Sequence, residues 1–95
     1  MTEKIVMTKS HETTASLFGA FDSNARKIER AFDVRISNCN LGDGSGDAIS
    51  VQGEADAVAR ASAVLEYLKR MIGEGEVLSE QSVDYVIGLC PEELD

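Results

Sequence analysis

Residues 54–75, EADAVARASAVLEYLKRMIGEG, carry one unbroken apolar stripe. Val58, Ala61, Leu65, Leu68 and Ile72 recur at steps of 3, 4, 3 and 4, which is the spacing of a helix with one buried face. Gly73 and Gly75 mark its end. Such a helix owes its stability to whatever covers the stripe, so the rest of the chain must supply a matching apolar surface.

Three short β-branched segments can do so. EKIVMT (3–8) reads as a strand bounded by polar residues. DVRISN (33–38) alternates, with Val34 and Ile36 on one side and Arg35 and Ser37 on the other. AISVQG (48–53) repeats the pattern with Ile49 and Val51 inward. The connection NLGDGSGD (40–47) is glycine-rich, which makes the second and third strands antiparallel neighbours.

Between the first two strands lie two short helices. HETTASLFG (11–19) has Ala15, Leu17 and Phe18 as its apolar members, Ser10 as N-cap and Gly19 as terminator. SNARKIERAF (23–32) follows after Ala20, Phe21 and Asp22, and either Asp22 or Ser23 can cap it through a side-chain oxygen. Ala25, Ile28 and Phe32 form its buried face, while Arg26, Lys27 and Arg30 lie off that face toward solvent. A last helix, SEQSVDYVIGLC (79–90), is expected to be capped by Ser79, to bury Val83, Val86, Ile87 and Cys90, and to stop at Pro91. The order β-α-α-β-β-α plus a C-terminal helix predicts an α+β domain: a three-stranded antiparallel sheet with helices on one face. Residues 1–95 form a single domain in this reading, with a core over about 4–73 and the appended helix over about 79–90.

Charge is the next constraint. The chain carries a formal net charge of -8, which opposes unassisted binding to nucleic acid or anionic membrane. The distribution is uneven. Residues 71–95 contain seven acidic side chains and no Lys or Arg. Residues 23–37 hold Arg26, Lys27, Arg30 and Arg35 against Glu29 and Asp33, a local excess of +2. No run of apolar residues is long enough to span a bilayer, and MTEKIVMTKSHETT lacks the apolar centre of a signal peptide, so a soluble, cytoplasmic protein without a membrane partner is expected.

These residues also resemble a known family. LFGAFDSNARKIERAFDVRIS (17–37) looks like the centre of a K-homology (KH) domain, with Leu17, Phe18, Gly19, Ile28, Val34 and Ile36 in register with that pattern. ISVQGEADAVARASAVL (49–65) resembles the second half of the same domain in its type I arrangement. Together with GEGEVLSEQSVDYVIGL (73–89), the chain is similar to the N-terminal domain of PhoH-like proteins. The resemblance implies an accessory domain that binds single-stranded RNA along Gly19, Ala20, Phe21, Asp22, Arg26, Lys27, Arg30 and Arg35. It also implies a neighbouring ATPase domain, or further copies of the chain, as protein partners. ATP and magnesium would belong to that separate ATPase domain. No Gly-Lys pair occurs in these residues, so they contain no phosphate-binding loop and no cofactor is expected in them.

The resemblance has one departure. The family loop is Gly-x-x-Gly, and here it reads Gly19-Ala20-Phe21-Asp22. In KH domains this loop approaches the backbone of bound nucleotides, where glycine allows close contact. Asp22 adds bulk and negative charge there. It can be read instead as the cap of the following helix, filling with the protein's own carboxylate the position a phosphate would take. On that alternative the domain keeps the fold, has lost RNA binding, and serves as an interaction module. The basic cluster then becomes a solvated face partnered locally by Glu29 and Asp33. Phe21 can stack on a base or tuck into the core.

Other patterns carry less. Asp43, Ser45, Asp47 and Glu54 fall at positions 1, 3, 5 and 12 of a calcium loop, but position 6 is Ala48 rather than Gly, so the segment reads as a strand connection. Cys39 and Cys90 match no metal spacing and read as reduced packing residues. His11 is the only histidine, and no Ser/Cys-His-Asp set can be assembled around it from sequence. The chain is therefore not expected to be an enzyme by itself.

Overall fold

A computed structural model of the chain describes residues 1–8, 11–19, 22–40 and 47–89. The elements run β1 (Thr2–Met7), α1 (His11–Phe18), α2 (Ser23–Phe32), β2 (Arg35–Asn40), β3 (Asp47–Gly53), α3 (Ala55–Gly73) and α4 (Glu80–Ile87). The strands form one antiparallel sheet in the order β1-β3-β2. β2 and β3 are neighbours, as their short glycine-rich connection requires. β3 is also paired with β1, so it is the central strand.

The register explains which side chains are buried. Val6 lies opposite Ile49, and Ile36 lies opposite Val51, so all four share one face. Each is at most 9% exposed. α3 packs on β1 and β3 from this side, with α1 on β3 and α2 on β2. The stripe of α3 fills the layer between: Val58, Ala61, Leu65 and Leu68 are buried, together with Val64 and Ser62. Ile72, at the end of the stripe, is only half-buried and packs against the edge of the core. The opposite face is more polar, though Ile5, Met7 and the buried Ala48 also lie on it. Glu3 accepts hydrogen bonds from Ser50 Oγ (2.7 Å) and Gln52 Nε2 (2.9 Å) across the β1–β3 pair.

Several local expectations change. In α1, Leu17 is buried and Phe18 half-buried, but Ala15 is exposed and Thr14 takes the interior position. Thr14 Oγ1 lies 2.6 Å from Thr8 Oγ1, and Thr8 Oγ1 donates to the Asp47 carbonyl at 2.9 Å. This polar link fastens α1 to the sheet, and a reading of apolar periodicity passes over it. The strand expected from residue 33 begins at Arg35. Asp33 instead closes α2 in the left-handed region (φ 55°), with its N–H donating to the Glu29 carbonyl. Ser79 does cap α4, accepting from the Ser82 N–H at 3.2 Å. That helix ends at Ile87 rather than Cys90, with the Gly88 N–H donating to the carbonyls of Asp84 and Tyr85. Its buried face is Val83 and Val86, and it packs on α2 and α3. Ser10, Cys90 and Pro91, together with the Cys39 side chain, lie outside the described residues.

The calcium pattern is dissolved by the strand. Asp47 opens β3 and Glu54 follows its last residue, so extended backbone holds them about 20 Å apart. Ala48, between them, is fully buried. Asp43 and Ser45 lie outside the described residues.

Candidate nucleic-acid interface

The loop between α1 and α2 is a tight turn. Gly19 terminates α1 with φ +77°, its N–H donating to the Ala15 carbonyl at 3.0 Å. The Asp22 N–H then donates back to the Gly19 carbonyl at 3.2 Å, which closes the four-residue turn. Glycine is required at position 19 on two counts. Its φ is one that a side chain opposes, and a Cβ there would sit 2.7 Å from Nδ2 of Asn24. Asn24 is buried against this glycine. Nothing in the apolar periodicity points to Asn24, since a polar residue in the first turn of a helix ordinarily faces water. Ala20 and Phe21, the turn's central residues, lie outside the described residues.

Asp22 does not behave as a capping residue. It occupies the N-cap position of α2, yet its backbone is left-handed (φ 60°, ψ 25°) and its side chain makes no capping hydrogen bond. A capping side chain needs extended backbone to reach back to the second or third amide of the helix. The left-handed conformation takes the Asp22 carboxylate out of that arrangement. The expectation that this carboxylate fills the helix end is thus corrected. Asp22 is exposed, in a backbone conformation glycine favours.

The four basic residues part company in three dimensions. Arg26 and Arg30 are one helical turn apart and both are exposed, on the side of α2 away from Ala25 and Ile28. Among the described residues neither forms an ion pair. Lys27 is not part of that ridge. Its Nζ lies 2.9 Å and 3.1 Å from the two carboxylate oxygens of Asp84 on α4. Nor is Glu29 a partner for the basic residues. It accepts the Ile36 N–H at 2.9 Å and so ties α2 to the edge strand β2. Arg35 is exposed at the start of β2, directly opposite Gln52 and therefore on the polar face of the sheet. The length of α2, about 15 Å, separates it from the Gly19 turn.

The site that remains is compact: the Gly19–Asp22 turn, the N-terminal end of α2, and the ridge of Arg26 and Arg30. One hollow among the described residues lies elsewhere. It holds about 650 Å3 at the far end of α2, lined by Asp33, Val34, Arg35, Gln52, Gly53 and Glu54 together with Met1. It is a wide surface hollow with charges of both signs. Among the described residues no group of three or more His, Cys, Asp or Glu side chains could hold a metal ion. No described helix is long and apolar enough to cross a membrane. Comparisons with protein-family models, curated proteins and solved structures gave no match for this chain.

Proposed function

We propose that this chain is a KH-type nucleic-acid-binding module that holds the backbone of single-stranded RNA at the Gly19 turn and along Arg26 and Arg30. The observation that carries the proposal is the uncapped start of α2. The Asp22 side chain makes no capping bond to α2, and the exposed Arg26 and Arg30 form no ion pair among the described residues, so an anion brought to this helix end would meet two guanidinium groups. The element order and the strand order β1-β3-β2 support a type I arrangement. Arg35 would meet only the far end of a bound strand, and Lys27 contributes less than its neighbours because Asp84 already neutralises it. With two arginines as the main phosphate contacts, binding is weak and strongly dependent on salt. In this proposal the module is an accessory to a PhoH-like ATPase domain, which would supply ATP and magnesium chemistry in the cytoplasm. The module itself catalyses nothing.

The test is a fluorescence-anisotropy titration of the 95-residue chain with short single-stranded RNAs at low salt. Saturable binding that is lost when Arg26 and Arg30 become Ala supports the proposal. Absence of binding, or binding indifferent to those substitutions, overturns it.

Two observations favour the second reading, a KH-fold interaction module that does not bind RNA. The bridge from Lys27 to Asp84 removes a cation from the basic face, and Asp22 adds an exposed anion beside the turn. Sedimentation of the chain with and without the ATPase domain distinguishes the two. Stable association without any RNA binding would select the second reading.

A further inference from the structure

We infer that two copies of this chain associate through β1, whose outer edge pairs antiparallel with β1 of the second copy about a two-fold axis at Ile5. The ladder between β1 and β3 decides which backbone groups face outward. The Thr8 N–H donates to the Asp47 carbonyl at 3.1 Å. The even-numbered residues of β1 therefore bond to β3, while Glu3, Ile5 and Met7 turn their N–H and C=O groups to the edge. The two edges of the sheet differ. α2 closes the edge of β2: the Val34 N–H donates to the Glu29 carbonyl at 3.2 Å and the Ile36 N–H to the Glu29 carboxylate at 2.9 Å. At β1, Lys69 Nζ donates to the Met7 carbonyl at 2.8 Å. Among the described residues the outward groups of Glu3 and Ile5 have no partner. An open edge of this kind is a template for another strand.

Side chains decide which strand it takes. Of the exposed large hydrophobic residues among those described, Ile5 is the one that lies in a strand, and it is 37% exposed. Glu3, on the same face, has its carboxylate drawn onto Ser50 and Gln52 of β3, away from the edge. The edge of that face is left to Ile5 and Met7. Centred on Ile5, a second copy sets Ile5 against Ile5 and Glu3 opposite Met7, and each pair exchanges both backbone hydrogen bonds. The Met7 carbonyl keeps a second lone pair for this. On the helix side the same register brings Lys4 of the second copy opposite Val6. Lys4 is exposed and has no ion pair among the described residues. A lysine there ordinarily guards an edge against pairing. Here a carboxylate waits for it: Glu66 lies 3.1 Å from Lys69 Nζ, which itself reaches the Met7 carbonyl beside Val6. Each copy offers a free cation where the other offers an anion, Lys4 to Glu66, twice by symmetry. That charge match, with Ile5 meeting itself on the axis, selects a second copy over an unrelated extended peptide.

The inference does not rest on RNA binding, since β1 is the far edge of the sheet from β2, on which α2 packs. The test uses the intact chain at about 0.15 M salt, where the repulsion between two copies of charge -8 is screened beyond about 8 Å. Sedimentation equilibrium is expected to show monomer and dimer with no larger species. Amide hydrogen exchange of the 15N-labelled chain is expected to slow at Glu3, Ile5 and Met7 as concentration rises, and not at Asn38 on the edge of β2. Ile5→Lys sets two like charges on the axis and weakens the dimer about tenfold. Lys4→Glu weakens it as well, and Lys4→Glu combined with Glu66→Lys restores it. The exchange measurement needs no variant, so it stands even where a substitution disturbs folding. A monomer at every concentration overturns the inference, as does a dimer in which the Ile5 amide exchanges freely or Asn38 is the one protected. It is also overturned if Ile5→Lys leaves the dimer intact, if the charge swap fails to restore it, or if the Ile5 amide is already protected in the monomer.

Discussion

Replacing Asp22 by glycine separates two accounts of the α1–α2 turn. If the carboxylate caps α2, removing it weakens the helix by a few tenths of a kcal/mol, roughly the difference between Asp and Gly as N-caps. The observed backbone predicts otherwise. At φ 60° and ψ 25°, Asp22 sits in the left-handed region and donates no stabilisation through a side-chain cap. An L-residue in that region is strained by about 1–2 kcal/mol, with Asp toward the low end. Glycine relieves this strain but is freer in the unfolded chain, which returns about 0.4–1 kcal/mol. Loss of a negative charge at a helix N-terminus takes away about 0.3 kcal/mol more in moderate salt. With Asp at the low end of that strain the terms nearly cancel, and the change stays within about 0.3 kcal/mol of zero, or about 2 °C in Tm for a domain of this size.

The same substitution acts on the ligand. A carboxylate about 7 Å from a bound phosphate repels it by about 0.6 kcal/mol in water, so Asp22→Gly raises RNA affinity about threefold at low salt. Thermal unfolding and anisotropy titration on one preparation read both numbers. A loss of stability well beyond about 0.5 kcal/mol would show that the Asp22 side chain stabilises the turn in a way its left-handed backbone does not account for. Unchanged affinity in a folded variant would show that no phosphate sits beside the turn.

Three further outcomes follow from the structure. A double-mutant cycle on Lys27→Ala and Asp84→Ala yields a coupling of about 0.2–1 kcal/mol that fades with added salt, and no coupling would mean the bridge is not populated in solution. Hydrogen bonds from Ser50 and then Gln52 hold the Glu3 carboxyl below its ordinary range, so its contribution to stability is present above the unfolded-state value and is lost as pH falls through the lowered folded value. Urea midpoints of Glu3→Gln should therefore fall less steeply than those of the parent between about pH 5 and about pH 3, and parallel curves would refute the assignment. Gly19→Ala meets both a positive φ and the Asn24 amide 2.7 Å away, whereas a Cβ at Gly73 meets nothing within 4 Å. The first substitution should cost about 2 kcal/mol or more, while the second, on the last helical residue of α3, should stabilise by up to about 1 kcal/mol, and equal effects would remove the case for Gly19 as the turn's fixed point.

Periodicity within one segment determined much of this fold. The stripe of α3, the alternation of Val34 and Ile36, and that of Ile49 and Val51 each report which side of an element avoids water. That preference belongs to the element wherever it is placed. The three-stranded antiparallel sheet, the helices over its apolar face and the Ser79 cap follow from such local rules. Gly19 as a helix terminator was legible for the same reason. What tertiary structure alone decided is where the charges go. Lys27 and Asp84 are 57 residues apart, and no spacing rule links them. Glu29 looked like a partner for arginine, yet it was claimed by an edge-strand amide that exists only once β2 has docked. Arg35 belongs to the basic run in sequence but to the opposite face of the sheet in space, because strand alternation turns it away from α2. Asp22 was the sharpest case. Its residue type argued for a cap, and its left-handed backbone, set by the closure of the turn from Gly19, withheld the side chain from that role. A sequence records what each side chain prefers, while the packed backbone fixes which preference is within reach.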